Sequence, residues 1–182
     1  IRSRSLTTER AFDYLDGILA GLDAMHGAGV GHLDLKPSNV IMRDGDTPVL
    51  VDFGLSGRKL RPGCGTVEYC SPEVIGIVPE DHQAPSPLAA DVYAFACMAF
   101  EVLTGQILFT APDETGILGQ HLSHAGWPPR LAALAQQPGL REVGVVLAAC
   151  LRHDPRARPS VTEVRHALER ASRGLGRASW PL

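Results

Sequence analysis

A mainly α-helical domain with one small β-hairpin is the fold class this sequence predicts, and three patterns predict it. Phe12, Leu15, Ile18, Leu19, Leu22 and Met25 recur at the spacing that gives a helix one buried face. Two short β-branched runs, 40–42 and 49–51, flank Arg43-Asp44-Gly45-Asp46-Thr47, whose Asp-Gly is a strong hairpin-turn signal. Residues 91–104 are apolar almost all round, as befits a helix buried on most sides.

Taken in order, residues 1–6 are polar and basic without periodicity, and Thr7 or Thr8 then caps the first helix, which Gly27 and Gly29 end. A compact polar segment, 32–39, leads into the hairpin. Residues 52–72 are rich in glycine and basic side chains, which suits a long functional loop. The proline-rich stretch 79–87 reads as a second loop, and helix 91–104 as the central pillar of the core. Three more helices are expected at about 114–122, 140–152 and 160–173, the last with Ser160 as cap and Glu163 completing a capping box. Residues 174–182 read as a tail or the start of a linker, and no internal repeat or low-complexity segment stands out.

The 182 residues are 45% hydrophobic and 20% charged, enough for one sizeable core. Seventeen basic against twenty acidic residues leave no excess to attract a nucleic-acid backbone or an anionic membrane, so no nucleic-acid partner is expected. Uncharged apolar runs such as 143–151 fall well short of the roughly 20 residues of a membrane-spanning helix, so no membrane segment is expected either. Four dispersed cysteines form no C-x-x-C pair and suggest neither a disulfide framework nor a zinc site; a cytoplasmic setting is the simplest. Cys97 and Cys150 lie on apolar helices as buried small hydrophobes, whereas Cys64 and Cys70 are candidates for redox sensitivity. His121 and His124, three apart without a third ligand, point to a surface or helix-end role rather than a metal. Arg58, Lys59 and Arg61 either bias substrates towards acidic sequences or form a solvated loop face. The chain opens on Ile1 without a signal-peptide pattern, and it is expected to be a piece of something longer.

The hairpin supplies the first mechanistic clue. Asn39 precedes its first strand and Asp52 follows its second, so antiparallel pairing about 5 Å wide brings both to one end. An amide oxygen and a carboxylate there suit Mg²⁺, which keeps several waters and takes further oxygens from substrate phosphates. Asp34, five residues before Asn39, could face a substrate as base or orienting acceptor, with Lys36 placed to neutralise a phosphoryl group.

Together these residues resemble the serine/threonine branch of the protein kinases. His32-Leu33-Asp34-Leu35-Lys36-Pro37-Ser38-Asn39 looks like the catalytic loop, Asp52-Phe53-Gly54 like the metal-binding triplet and Ser71-Pro72-Glu73 like the triplet that closes the activation segment. Gly65-Thr66-Val67-Glu68-Tyr69, Asp91-Val92-Tyr93 and 154–160 extend the ordered match over nearly the whole chain. The resemblance implies a serine/threonine protein kinase using ATP and Mg²⁺ on Ser/Thr hydroxyls of protein substrates. It makes Asp34 the base or orienting acceptor, Lys36 a γ-phosphate contact, and Asn39 and Asp52 the Mg²⁺ ligands. It also has Thr66 bonding near Asp34 and Lys36, Glu73 pairing with Arg158, and Asp91 accepting backbone N–H groups of the catalytic loop. His32 with Phe53 forms an apolar spine, Gly54 completes the metal triplet, and Ile41 lies beneath the adenine.

Three departures accompany the match, the mildest being Ser71 in place of Ala in the closing triplet. The usual Arg before the catalytic Asp is Leu33, and no Gly-rich phosphate loop, strand lysine or partner Glu is present. Residues 1–173 therefore resemble a kinase C-terminal lobe, with the N-terminal lobe expected in cis outside this sequence and the chain alone expected to be inactive. A catalytically silent, partner-binding kinase-like module is the alternative, and a small-molecule phosphotransferase a weaker one. Lys36-Pro37, Thr66 and the Ser71-Pro72-Glu73 closure suit an extended peptide and disfavour the latter.

Overall fold

The computed structural model describes residues 7–76, 86–173, 175 and 180–182. Helix α1 (Thr8–Gly27) is capped by the Thr7 hydroxyl, which accepts from the Arg10 N–H at 3.3 Å. Strands β1 (Val40–Arg43) and β2 (Thr47–Leu50) form the hairpin, antiparallel with Val40 opposite Leu50. Five helices follow: α2 (Pro87–Thr104), α3 (Glu114–Ser123), α4 (Pro129–Ala135), α5 (Arg141–Cys150) and α6 (Val161–Ser172). The Ser160–Glu163 capping box of α6 forms as the sequence signals.

Helix α2 is the pillar. Thirteen of its residues are buried, and although it is long and apolar enough to cross a bilayer, it serves here as the core. Helices α1 and α5 pack on it, and α6 closes against α1 and α5. Helix α1 also meets β2 closely: a Cβ at Gly17 would lie 2.4 Å from Pro48 Cγ, and one at Gly21 3.2 Å from Leu50 Cδ1. Glycines four apart thus open a flat stripe that seats the hairpin on the helix.

Several expectations change. Helix α2 starts at Pro87 rather than Asp91, because Ser86 caps it and Pro suits the first helical position; Pro87 is therefore helical, while 79–85 of the expected second loop lie outside the described residues. The short helix α4 is additional, started by Pro129 after Pro128. β2 ends at Leu50, one residue earlier than read. In the closing segment, the Trp180 indole N–H donates to the Val102 carbonyl at 2.8 Å and the Leu182 N–H to Leu103 at 2.9 Å, with Leu175 buried. An indole docked against α2 thus ties residues 180–182 to the core.

His121 and His124 stand at the end of α3, as the helix-end alternative expects, but neither is at the surface: both are buried, and they converge on one phenol. The Gly126 N–H donates to His124 Nδ1 (3.0 Å), so the His124 proton sits on Nε2 and donates to the Tyr93 oxygen at 3.1 Å. Tyr93 then donates its single O–H proton to His121 Nδ1 at 2.8 Å. These bonds use one accepting nitrogen on each ring and so fit neutral imidazoles, with the buried His121 Nε2 left without a hydrogen-bond partner among the described residues. The Arg158 guanidinium stacks over the same phenol at 4.9 Å. Arg158 also makes a bidentate pair with Glu73 (2.6 and 2.9 Å), both side chains essentially unexposed, and donates to the carbonyls of Ala89, Arg152 and His153.

Two outcomes follow. Burial pushes His121 and His124 from the usual 6.5 down to about 4, the Val67 backbone carbonyl near His121 opposing this there and neighbouring His153 adding to it at both. The unfolded chain takes up these protons near pH 6.5 and the folded chain only near 4, so the stability present above 6.5 is lost as pH falls through that window. The loss is at most about 3 kcal/mol per ring; denaturant midpoints from pH 7 to 4 should fall steeply, and a flat profile would remove the neutral-ring chain. Second, Glu73→Ala and Arg158→Ala should each cost about 3–5 kcal/mol, since either leaves a buried charge unpaired. A double-mutant cycle should show strong coupling, and additive costs would contradict the pairing.

Candidate active site

The start of α2 sets the site. Buried Asp91 accepts the His32 N–H on Oδ2 and the Leu33 N–H on Oδ1, both at 2.7 Å, while His26 Nε2 lies 2.9 Å from Oδ2. Gathering two successive N–H groups on one carboxylate forces a sharp turn, and Leu33 adopts φ +67°, a left-handed conformation costing about 1 kcal/mol for a residue with a Cβ. That turn delivers Asp34.

Asp34 anchors a closed circuit of hydrogen bonds. Its N–H donates to His32 Nδ1 (3.4 Å), which fixes the His32 proton on Nε2, donating to the Val51 carbonyl at 3.1 Å. The Val51 N–H donates to the Asn39 carbonyl (3.0 Å), extending the hairpin register one step beyond the strands. The Asn39 amide returns to Asp34, donating to its backbone carbonyl at 2.8 Å and its Oδ2 at 3.1 Å. One loop of contacts thus locks Asp34, Asn39 and the residue before Asp52 together.

The remaining contacts load Asp34 with donors. Lys36 Nζ lies 2.8 Å from Oδ2 and donates to Thr66 Oγ1 at 2.7 Å, while the Thr66 hydroxyl donates to Asp34 Oδ1 at 2.9 Å. Partial burial pushes the Asp34 pKa up, but hydrogen bonds from Lys36, Thr66 and Asn39, with the Lys36 charge, outweigh it and hold the carboxyl below the ordinary 3.8. Asp34 is an anion at neutral pH.

Both Asn39 amide hydrogens are committed to Asp34, so Oδ1 is the atom left for a cation. Asp52 is exposed at φ +62°, its Oδ1 capping a single 3₁₀ turn (Phe53–Leu55) through the Gly54 N–H at 3.4 Å. Among the described residues no group of three His, Cys, Asp or Glu could hold a metal. The oxygen pair Asn39 and Asp52 nonetheless fits Mg²⁺, which needs few protein ligands when phosphates supply the rest. The Phe53 ring lies 5.5 Å from that of His32, and Phe53 and Ile41 are both about half exposed, an apolar shelf beside the hairpin end.

The segment after Asp52 is tied down repeatedly. Ser56 Oγ donates to the His32 carbonyl (3.2 Å), and Gly31 and Gly57 exchange backbone bonds. Tyr69 donates to Glu101 Oε2 at 2.6 Å, and burial together with that carboxylate raises the phenol's pKa further. Burial likewise pushes the Cys70 thiol up to about 11, which removes it as a redox-sensitive thiolate; Cys64 is exposed, and Cys97 and Cys150 are buried as expected. The sequence reading missed His26 and Glu101. His26 follows Leu22 and Met25 on the buried stripe, a signal for an inward-facing imidazole, but nothing local names Asp91 as its partner.

Residues 1–168 match the protein kinase domain family. The chain is 32% identical over 169 residues to serine/threonine-protein kinase PkaA of Streptomyces coelicolor, covering 87% of this chain and 29% of that protein. It is 33% identical over 131 residues to serine/threonine-protein kinase PknE of Mycobacterium tuberculosis, covering 68% and 22%. To human ribosomal protein S6 kinase alpha-1 it is 34% identical over 137 residues, covering 71% and 18%. The chain thus spans less than a third of the length of these relatives. With the ordered motifs, the mainly helical fold and a match across almost its full length in agreement, this chain belongs to the protein kinase domain family.

Proposed function

We propose that the protein containing this chain is a serine/threonine protein kinase that transfers the γ-phosphate of ATP to Ser/Thr hydroxyls of protein substrates. The observation that carries this reading is the Asp34 carboxylate, held ionised by Lys36, Thr66 and Asn39 beside the oxygen pair of Asn39 and Asp52. Residues 1–173 are its C-terminal lobe, and the N-terminal lobe is supplied in cis. The exposed Ile41 and Phe53 suit that role, Ile41 lying beneath the adenine and Phe53 extending the His32 spine. A cytoplasmic catalytic domain is part of the same proposal.

Asp34 is a weak base, because its own donors stabilise the anion. It acts as an acceptor that orients the substrate hydroxyl towards the phosphorus and receives the proton late, when the oxygen has become acidic. Lys36, shared between Asp34 and Thr66, faces the transferring phosphoryl group and offsets its charge. Asn39 and Asp52 would hold Mg²⁺, which supplies charge neutralisation and orientation of the phosphates when bound. A silent binding module has no physical need for this arrangement: massing donors on one carboxylate serves chemistry, not adhesion.

Regulation follows from Leu33. Phosphate on an activation loop acts by pairing with nearby cations, and the residue before Asp34 is apolar, with its N–H committed to Asp91. Residues 57–65 contain no hydroxyl, and fixed contacts already order the segment.

In the complete kinase, Asp34→Asn and Asp52→Asn should each lower phosphoryl transfer by about 10³-fold or more, with far-UV circular dichroism and melting unchanged. Wild-type turnover by either variant would remove the mechanism. Phosphatase treatment, and separately Ser56→Ala, should change initial rates by no more than about threefold, the scale of one lost hydrogen bond. A large loss traced by mass spectrometry to a phosphate between Asp52 and Glu73 would show control by loop phosphorylation.

A further inference from the structure

We infer that Arg58, Lys59 and Arg61 form a specificity element that reads acidic side chains flanking the acceptor residue of the protein substrate; this deepens, and rests on, the kinase reading above. The three cations lie within four residues, and all are exposed. Among the described residues none of them pairs with a carboxylate, and the one side-chain bond among the three is from Arg58 to the Ala28 carbonyl at 3.3 Å.

The stretch that carries them is tethered at both ends. Just before Arg58, Gly31 and Gly57 exchange two backbone bonds of 2.9 and 3.0 Å. Two residues after Arg61, the Gly63 N–H donates to the Val74 carbonyl at 2.7 Å. Gly31 leads directly into the His32–Asp34 turn and Val74 follows the Ser71-Pro72-Glu73 closure, so both anchors belong to the segments that present Asp34 and Thr66. A Cβ built at Gly65 would lie 3.8 Å from the Leu33 carbonyl, which returns the end of the stretch to that turn. The backbone that carries the cations is thus held between the segments that present Asp34 and Thr66.

Three like charges this close repel one another, and an anion relieves that repulsion. Among the described residues no carboxylate fills that role. Asp34 is already paired with Lys36 at 2.8 Å, and residues 57–65 contain no serine, threonine or tyrosine to carry a phosphate. An anion arriving with a bound molecule fits this strip, and a peptide threading past Thr66 towards Asp34 brings its flanking side chains towards it. In a chain of net charge −3, a local positive strip also steers an acidic partner to this one place.

The test uses the complete kinase and two synthetic peptides with one serine acceptor, one flanked by aspartates and one by alanines. In the variant Arg58→Gln/Lys59→Gln/Arg61→Gln, the ratio of kcat/KM for the aspartate peptide to that for the alanine peptide should fall by about tenfold, through KM, and less steeply at high salt. Lys59→Glu/Arg61→Glu should turn preference towards a lysine-flanked peptide. A ratio that changes by less than about threefold overturns the inference, as does a change confined to the KM for ATP, which would assign the cations to the nucleotide. Fluorescence anisotropy of the aspartate peptide gives a readout without turnover: weaker binding by the variant supports the specificity element and equal binding overturns it. Failure of the kinase reading itself would show separately, as no transfer by the wild-type protein to either peptide.

Discussion

The buried Asp91 carboxylate is the constraint on which the site depends. A charge inside the core is tolerated only when donors surround it, and three converge on this one: the N–H groups of His32 and Leu33 and the ring of His26. Because Asp91 stands near the start of the most buried helix, its position is that of the core itself. The chain on the other side must bend to reach it, which places Leu33 in a left-handed conformation and turns Asp34 outward. The strain is local and small beside the burial cost of an unsatisfied carboxylate.

From that turn, order spreads through hydrogen bonds rather than apolar contact. The circuit from Asp34 through His32, Val51 and Asn39 back to Asp34 couples the loop to the hairpin, so the metal-binding candidates inherit the rigidity of α2. Neutral imidazoles recur as connectors because each offers one donor and one acceptor in fixed directions. His32 uses both within the circuit, and His124 repeats the device between Gly126 and Tyr93.

Electrostatics divides the molecule into two regimes. In the interior, Glu73 and Arg158 neutralise each other with every donor direction used, which serves register: the segment after Thr66 is fixed relative to α2 and to the turn before α6. Nearer the surface, Asp34 and Lys36 pair and share Thr66 while each side chain keeps some exposure to solvent. The exposed cations beyond Asp52 complete a gradient from paired charge inside to unpaired charge at the rim.

Much of this was legible in the linear sequence. Periodicity alone marked α1, and near-uniform apolarity marked α2; Ser160 and Glu163 located the start of α6, and the Asp-Gly turn located the hairpin. These signals are local, each generated by residues within a turn or two of one another. The site motifs were legible for a related reason, since the order of Asp34, Asn39, Asp52 and Glu73 along the chain is the order in which the loops present them. Spacing could not show that the His26 ring meets Asp91, that His121 and His124 lie inside rather than at the surface, or that Trp180 docks on α2, because each partner comes from a distant element. Helix α4 was missed because its seven residues are too few to show periodicity. The sequence by itself determined most of the segments that fold and which residues are candidates for the chemistry. Tertiary structure decided which polar groups are buried, and hence which must be neutral or paired, because burial depends on what the rest of the chain brings against a residue.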